Sequence, residues 1–200
     1  MHLKDRYIGL GMKRILFINP SLRLHSKTKF LPVGIASVMT YLQSQGVKFD
    51  FLDIDIDDIE DTDVKLYLER NRYDIVLTGS IVTHYKWMKW LTKTVRYYNP
   101  KSIIIVGNSV AGSIPTLFLT NSDADIAIMG EGELSTNETI FSILNDEDIS
   151  NIEGIAYKKS NGTVKVNPKR KGLKKLDDFP MINWDSFKTE EYFIIKFLDC

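Results

Sequence analysis

The sequence has one cysteine in 200 residues, Cys200, which excludes an internal disulfide framework and fits a reducing cytoplasm. It lacks an apolar run near the roughly 20 residues that a membrane-spanning helix needs, and residues 1–20 lack a signal-peptide pattern. It has no charge excess, because 26 Lys and Arg residues balance 26 Asp and Glu residues. We therefore predict a cytoplasmic protein with no nucleic-acid or membrane surface.

Patterns typical of metal sites are missing as well. The histidines His2, His25 and His84 share no ligand-like spacing with one another or with the cysteine. The acidic stretch 53–63 lacks the spaced oxygen ligands and central glycine of a calcium-binding loop. We interpret it as a solvated strand edge and helix start, and the basic stretch 169–175 as a solvated linker.

The usual nucleotide and phosphate motifs are also absent. A dinucleotide site needs Gly-x-Gly-x-x-Gly between the first strand and the first helix, where this chain has NPSLRLHSKTKFLPVG, and there is no P-loop. A phosphoacceptor receiver domain would need acidic residues in place of Asn19 and Gly79-Ser80. A flavodoxin would need a hydroxyl-rich phosphate turn after the first strand, and the Leu- and Lys-rich loop there does not supply one. A catalytic triad of Ser80, His84 and Asp53 is poorly supported, because there is no nucleophile elbow.

What the sequence does contain is an alternation of short apolar runs with helical patterns over residues 1–149. Strands are predicted at 14–18, 47–55, 74–80, 102–107 and 125–130, and helices at 33–46, 59–71, 84–98, 113–120 and 133–145. Continuous apolar strands separated by helices are typical of a parallel sheet covered on both faces. The sequence therefore predicts an α/β fold, a flavodoxin-like doubly wound parallel five-stranded sheet of order 2-1-3-4-5.

The pattern changes in residues 150–200. The run GIAYKKSNGTVKVNP places Asn161-Gly162 between two strand-like segments, which is the strongest short signal of a β-hairpin. An irregular, partly apolar connector follows at 173–187. We expect the hairpin to pack against the sheet or to continue into a further domain.

Ligands of open α/β sheets bind beyond the carboxyl ends of the strands. The loops at this edge begin at Asn19-Pro20, Asp53-Ile54-Asp55, Gly79-Ser80, Gly107-Asn108-Ser109 and Gly130-Glu131-Gly132-Glu133. Their side chains are small and mostly uncharged until Glu131 and Glu133. This lining suits a bulky ligand, held by backbone and small side chains, better than a phosphate cluster.

Together, the motifs resemble the N-terminal cobalamin-binding domain of cobalamin-dependent radical S-adenosylmethionine enzymes. The matching residues are Asn19-Pro20, Pro32-x-Gly34, Ser80 with Thr83 and Tyr85, Val106-Gly107, Asp125, Gly130-Glu131-Gly132-Glu133, the hairpin run, Leu176-Asp177 and Pro180. The resemblance covers residues 14–192, and it is the order and spacing of the motifs that makes it specific.

This resemblance implies that cobalamin (vitamin B12) lies over the sheet with its nucleotide tail beside the third, fourth and fifth strands. The cofactor-binding residues it implies are Asn19, Pro20, Gly34, Ser80, Thr83, Gly107, Asn108, Ser109, Gly130, Glu131, Gly132 and Glu133. Gly107, Gly130 and Gly132 would let the ligand approach the backbone. Glu131 or Glu133 would accept hydrogen bonds from corrin amides or cap the following helix.

The departures from the family pattern are informative. The family usually has a second glycine where Asn108 stands. The Asp-x-His-x-x-Gly motif of methionine-synthase-like proteins is missing, because Arg23 and Thr28 flank His25 at the Asp and Gly positions. The resemblance then implies cobalamin with its benzimidazole base off the cobalt and no histidine ligand.

A radical domain needs three closely spaced cysteines for its iron–sulfur cluster, and this chain has one. We expect the chain to be the non-catalytic N-terminal fragment of a methyltransferase-like enzyme. Residues 1–149 would be the cobalamin-binding domain, and 150–200 a hairpin and linker. S-adenosylmethionine and the cluster would bind only in a downstream domain absent here. The alternative is a cofactor-free flavodoxin-like regulatory or interaction domain.

Overall fold

The computed structural model describes residues 13–172 and 179–192. The strands are β1 (Ile15–Asn19), β2 (Asp50–Asp53), β3 (Ile75–Gly79), β4 (Ile103–Gly107), β5 (Ile126–Ile128), β6 (Ile155–Lys158) and β7 (Val164–Val166). The helices are α1 (Val33–Ser44), α2 (Asp61–Arg70), α3 (Tyr85–Tyr98), α4 (Asn108–Gly112), α5 (Pro115–Thr120) and α6 (Gly132–Leu144), with 3-10 turns at Val82–His84 and Trp184–Ser186.

All the strands belong to one sheet of order β2-β1-β3-β4-β5-β6-β7. The first five strands are parallel and have the predicted order, so the flavodoxin-like fold is confirmed. The predicted hairpin is present as β6 and β7, and β6 pairs antiparallel with β5 through Ala127 and Ala156. The hairpin therefore extends the sheet to seven strands, because the exposed edge of β5 offers it backbone partners.

Helices cover both faces of the sheet, which explains why the strands are apolar on both sides. In β1, Leu16 and Ile18 pack in a core with residues of α2, α3, α4 and α5. Ile15 and Phe17 point to the opposite face and pack with residues of α1 and α6. The ligand edge is therefore bounded by α1 and α6 on one side of the sheet.

Several element boundaries differ from the sequence-based assignment by a few residues, and two differences lie at the ligand edge. β2 ends at Asp53, because the following residues form a turn in which Asp57 N donates to Asp53 O. Helix α4 was expected to be a loop. It begins at Asn108, whose φ of 62° is a left-handed conformation that asparagine tolerates better than most residues. The asparagine therefore takes the backbone conformation that a glycine would otherwise supply.

Residues 179–192, which we call the C-terminal strap, pack back onto the domain. Asn183 N donates to Thr40 Oγ1 of α1 at 2.9 Å. The ring of Phe187 lies edge-to-face on Phe51 of β2, with ring centroids 5.1 Å apart. The strap thus crosses α1 and reaches the β2 side of the sheet. Leu176-Asp177, Cys200 and the N-terminal residues 1–12 lie outside the described residues.

Candidate functional site

A cleft of about 1050 Å³ opens at the carboxyl edge of the sheet. It extends along the sheet face that α1 and α6 cover, since its walls include Phe17, Leu77, Ile105 and Ile128 of the strands and Val38 of α1. Pockets for small ligands usually measure about 300–1000 Å³, so this cleft is large. Its depth is apolar, and such a wall suits an aromatic or aliphatic part of a ligand.

The mouth of the cleft carries the residues that the sequence singled out. All of the predicted cofactor-binding residues except Ser109 line it: Asn19, Pro20, Gly34, Ser80, Thr83, Gly107, Asn108, Gly130, Glu131, Gly132 and Glu133. Ser109 instead accepts a hydrogen bond through Oγ from Val82 N at 3.1 Å. Ser109 therefore stabilises the loop after β3 and is not part of the cleft wall.

The glycines at the mouth have different structural roles. Gly130 has a φ of +77°, and no described heavy atom lies within 4 Å of where its Cβ would stand. A Cβ on Gly132 would lie 3.0 Å from Val38 Cγ2, so this glycine allows α6 to approach α1. Gly132 also lines the cleft, so its role in admitting a ligand stays a prediction beside this packing role. Gly79 is missing from the predicted site. A Cβ on it would lie 3.0 Å from the carbonyl carbon of Gly107, so this glycine lets β3 and β4 lie close together at their ends.

Glu133 places a carboxylate between α1 and α6. Its Oε1 accepts a hydrogen bond from Ser37 Oγ of α1 at 2.5 Å. Its Oε2 is buried and has no hydrogen-bond partner among the described residues. A buried carboxylate oxygen is stabilised by a donor, so Glu133 offers an acceptor to a ligand in the cleft. It also lies in the first turn of α6, where the helix dipole favours negative charge.

His84 and Ser80 form a pair at the mouth of the cleft. Ser80 Oγ and His84 Nδ1 are hydrogen-bonded at 3.1 Å, and the imidazole stacks on Trp87 with centroids 4.8 Å apart. Burial lowers the pKa of His84, although the nearby Asp61 opposes this. The hypothetical triad with Asp53 does not form, because Asp53 is hydrogen-bonded to Asn19 and Tyr192 instead.

His25 lies on the β1–α1 loop, residues 20–32, and is not among the residues that line the cleft. Its Nε2 is 2.6 Å from Glu60 Oε1, and its backbone N donates to Asp58 at 2.8 Å. The imidazole is therefore engaged on the acidic segment that follows β2. His25 has a left-handed φ of 60°, and its partner Asp58 has a left-handed φ of 46°.

The acidic stretch 53–63 was interpreted as a solvated strand edge and helix start. It does begin helix α2 at Asp61, but its first part is not a solvated edge. Asp53 and Asp55 are buried, and Asp55 accepts a hydrogen bond from Ser21 Oγ at 2.5 Å. Lys29 is buried too, with its Nζ 2.6 Å from Asp58 Oδ1. The stretch therefore anchors the β1–α1 loop. The pattern of alternating acids could not reveal this, because the partner cations and hydroxyls lie 29 to 34 residues away.

The basic stretch 169–175 is only in part a solvated linker. Arg170 Nε donates to Ser135 Oγ at 3.0 Å, and its guanidinium pairs with Glu138 of α6. The last three residues of the stretch lie outside the described residues. Arg170 therefore fastens the segment after the hairpin to α6.

Exposed apolar side chains surround the mouth, and sequence reasoning missed them. Leu22 and Phe30 of the β1–α1 loop, Val33 of α1, and Ile81 after β3 line the cleft and are exposed. Single exposed apolar residues are ordinary, but a group around one opening indicates that something apolar covers it. In an irregular loop, periodicity gives no sign of which side chains are exposed.

The described ranges, 13–172 and 179–192, contain no group of three or more His, Cys, Asp or Glu residues placed to hold a metal ion. No helix in them has the length and apolar character needed to cross a membrane.

Comparisons with known sequences agree with this geometry. The B12 binding domain family model matches residues 21–139. An uncharacterized protein of Methanocaldococcus jannaschii is 31% identical over 141 residues, covering 70% of this chain and 25% of that protein. The cytidylyl-2-hydroxyethylphosphonate methyltransferase of Streptomyces wedmorensis is 21% identical over 92% of this chain, which spans 42% of that enzyme.

Solved structures show the same fold. The cobalamin-dependent S-adenosylmethionine radical enzyme OxsB with aqua-cobalamin bound superposes with a TM-score of 0.77 at 17% identity, over 92% of this chain and 26% of that one. The radical S-adenosylmethionine methyltransferase TsrM from Kitasatospora setae gives a TM-score of 0.68 at 18% identity, over 80% and 31% respectively. With the family model matching well over half of its length, the chain belongs to the B12-binding domain family.

Proposed function

We propose that this chain binds cobalamin in the cleft and serves as the cofactor module of a methyltransferase-like radical S-adenosylmethionine enzyme. The observation that carries the proposal is the cleft itself, which is about 1050 Å³, apolar in its depth and polar at its mouth. The chain spans less than half of the curated relatives it matches. We therefore also propose that the radical domain, with its S-adenosylmethionine and iron–sulfur cluster, is supplied by sequence beyond this chain.

The residues present fit a ligand with the chemistry of cobalamin. A nucleotide tail ending in an aromatic base needs a deep apolar channel, which Phe17, Leu77 and Ile105 provide on the sheet face. A corrin ring with amide side chains needs acceptors and donors near the opening. Glu133 Oε2, which has no hydrogen-bond partner in the described part of the chain, is such an acceptor.

The chain's own residues would bind and orient the cofactor. Backbone groups at Gly107 and Gly130 are open to a ligand because neither residue carries a side chain. Asn19, Ser80 and Thr83 place polar side chains along the same opening. When bound, cobalamin supplies methyl-carrier chemistry or tunes radical chemistry, while the protein supplies position and surroundings.

We further propose that cobalamin is held with its benzimidazole off the cobalt and without a histidine ligand. The apolar channel beside β3, β4 and β5 offers the displaced base a place away from the corrin. The imidazole of His25 contacts Glu60, and His25 is not among the residues that line the cleft. His84 does line the cleft. Its Nδ1 is paired with Ser80, so Nε2 is the nitrogen that a test of the axial ligand must address.

Reconstitution tests cobalamin binding directly. The purified chain is incubated with hydroxocobalamin or methylcobalamin, desalted, and examined by visible spectroscopy. We expect about one equivalent of cofactor to be retained. Circular dichroism before and after loading serves as the control for folding. A folded chain that emerges colourless would favour the alternative of a cofactor-free regulatory or interaction domain.

Electron paramagnetic resonance of the loaded chain, after reduction to cobalt(II), tests the axial ligand. A nitrogen ligand splits the cobalt signal into triplets, because the nitrogen-14 nucleus has spin 1. We expect no such splitting in the wild type, and unchanged spectra in the His25→Ala and His84→Ala variants. Triplets that disappear in either histidine variant would contradict the histidine-free proposal. Triplets that persist in both would place the benzimidazole on the cobalt.

A further inference from the structure

The end of the C-terminal strap meets the cleft through a single carboxylate. Tyr192 OH donates a hydrogen bond to Asp53 Oδ2 at 2.6 Å. The other oxygen, Oδ1, accepts a hydrogen bond from Asn19 Nδ2 at 2.7 Å. Tyr192 is 3% exposed and Asp53 is 6% exposed, so this short chain of bonds is shielded from water. It connects the strap to a residue that lines the cleft.

The contact fixes the orientation of the Asn19 side chain. Asn19 and Asp53 are the last residues of the neighbouring strands β1 and β2, and they are paired in register. Because Nδ2 of Asn19 donates to Asp53, Oδ1 remains as the acceptor end of the amide. Without Asp53 held in place, the two ends of the amide could exchange positions.

The same acidic segment also holds the β1–α1 loop. Two residues after Asp53, Asp55 accepts a hydrogen bond from Ser21 Oγ at 2.5 Å and lies 3.8 Å from Lys29 Nζ. Both partners belong to the loop that forms one wall of the cleft. A displacement of the segment after β2 would therefore disturb the cleft through Asn19 and through the β1–α1 loop.

We infer that Tyr192 and Asp53 are positioning residues for the cleft, so that docking of the strap and binding of the cofactor stabilise each other. The inference rests on the proposed binding of cobalamin. It follows from linkage, because a strap that favours the binding-competent arrangement of Asn19 must itself be favoured by the ligand to the same extent. The strap is thus part of the binding device, and the site extends beyond the residues that the cofactor touches.

The Tyr192 hydroxyl matters because Asp53 is a costly group to bury. Burial raises the pKa of the Asp53 carboxyl, while the donors Tyr192 and Asn19 act in the opposite direction. Removing the tyrosine hydroxyl leaves Oδ2 without this donor in a buried position. Such an oxygen tends to seek another donor, and Asn19 Nδ2 already donates to Oδ1 of the same carboxylate. The amide of Asn19 would then change its position at the cleft wall.

The test measures the dissociation constant of hydroxocobalamin by visible titration for the wild type, Tyr192→Phe, Asp53→Asn and the double variant. We expect each single variant to weaken binding by about 5- to 20-fold, within the usual range of coupling between sites. The double variant should bind about as weakly as Asp53→Asn alone, because the two residues act through one contact. Lys188→Met is the matched control, since it removes a strap contact to Asp57 without touching Asn19.

Hydrogen exchange supplies a measurement that a merely structural role would not change. Hydroxocobalamin should slow amide exchange across residues 183–192 in the wild type and have no such effect in Tyr192→Phe. If the wild type takes up no cobalamin, the proposed function is wrong. If it binds, but Tyr192→Phe binds equally well and the strap shows no added protection, only the coupling is wrong. Should Tyr192→Phe fail to fold, the wild-type exchange measurement decides.

Discussion

Replacing Gly34 with tryptophan is expected to reduce hydroxocobalamin affinity by at least about 100-fold, equivalent to about 2.7 kcal/mol, while the domain stays folded. Gly34 lies in the first turn of α1 and lines the cleft. No described heavy atom lies within 4 Å of the position of its Cβ, so a large side chain meets open space rather than the core. The indole would then occupy part of the volume that the cofactor needs. Visible titration measures the affinity, and circular dichroism measures folding.

Two controls separate blockage from other effects. Gly34→Ala should bind cobalamin within about twofold of the wild type and gain up to ~1 kcal/mol of stability, because alanine is the better helix residue. Lys93→Trp adds the same side chain to an exposed position of α3, which is not among the residues lining the cleft, and should leave binding unchanged. Full retention of cobalamin by a folded Gly34→Trp chain would show that the ligand lies elsewhere.

Gly154→Ala is expected to lower the free energy of unfolding by about 2–5 kcal/mol. Gly154 has a φ of +77°, where a side chain costs roughly 1–2 kcal/mol. Its Cβ would also stand 2.5 Å from Ser135 Oγ and 3.4 Å from Met129 O, and overpacking of this kind costs about 1–3 kcal/mol. The residue joins the hairpin to the sheet, since its carbonyl accepts a hydrogen bond from Met129 N at 2.7 Å. Urea unfolding gives the value.

Gly162→Ala is the matched control for this effect. Gly162 has a φ of +81°, but no described heavy atom lies within 4 Å of its Cβ position. We expect Gly162→Ala to lower the free energy of unfolding only by the cost of a side chain in a left-handed conformation, about 1–2 kcal/mol. Equal losses in the two variants would mean that Ser135 moves aside freely and that the contact contributes nothing.

The parallel part of the fold was predictable because its signals are local. Runs such as Ile103–Val106 are continuous and apolar, and helices such as α3 have a clear 3.6-residue period. The order of the parallel strands follows from the handedness and the short connections of such sheets. The antiparallel attachment of β6 to β5 was not predictable, because a hairpin sequence fixes its own turn and not its partner.

The cleft was predictable in its location and less so in its detail. Strand ends mark the ligand edge of any open α/β sheet, so Asn19, Ser80, Gly107 and Gly130 could be placed there. The anchoring of the β1–α1 loop by Asp55 and Asp58 could not, because these ion pairs and hydrogen bonds depend on tertiary contacts. The packing of Gly132 against Val38 is likewise a contact between distant segments.

The hairpin that ends the sheet also limits edge-to-edge association between copies of the protein. β7 spans only Val164–Val166, and Pro168, two residues later, has no amide hydrogen to offer an incoming strand. A longer flat margin at this end would serve as a template for edge-to-edge aggregation. The short β7 therefore limits the pairing of a further strand. Removal of β6 and β7 would leave the backbone edge of β5 open to pairing with another copy.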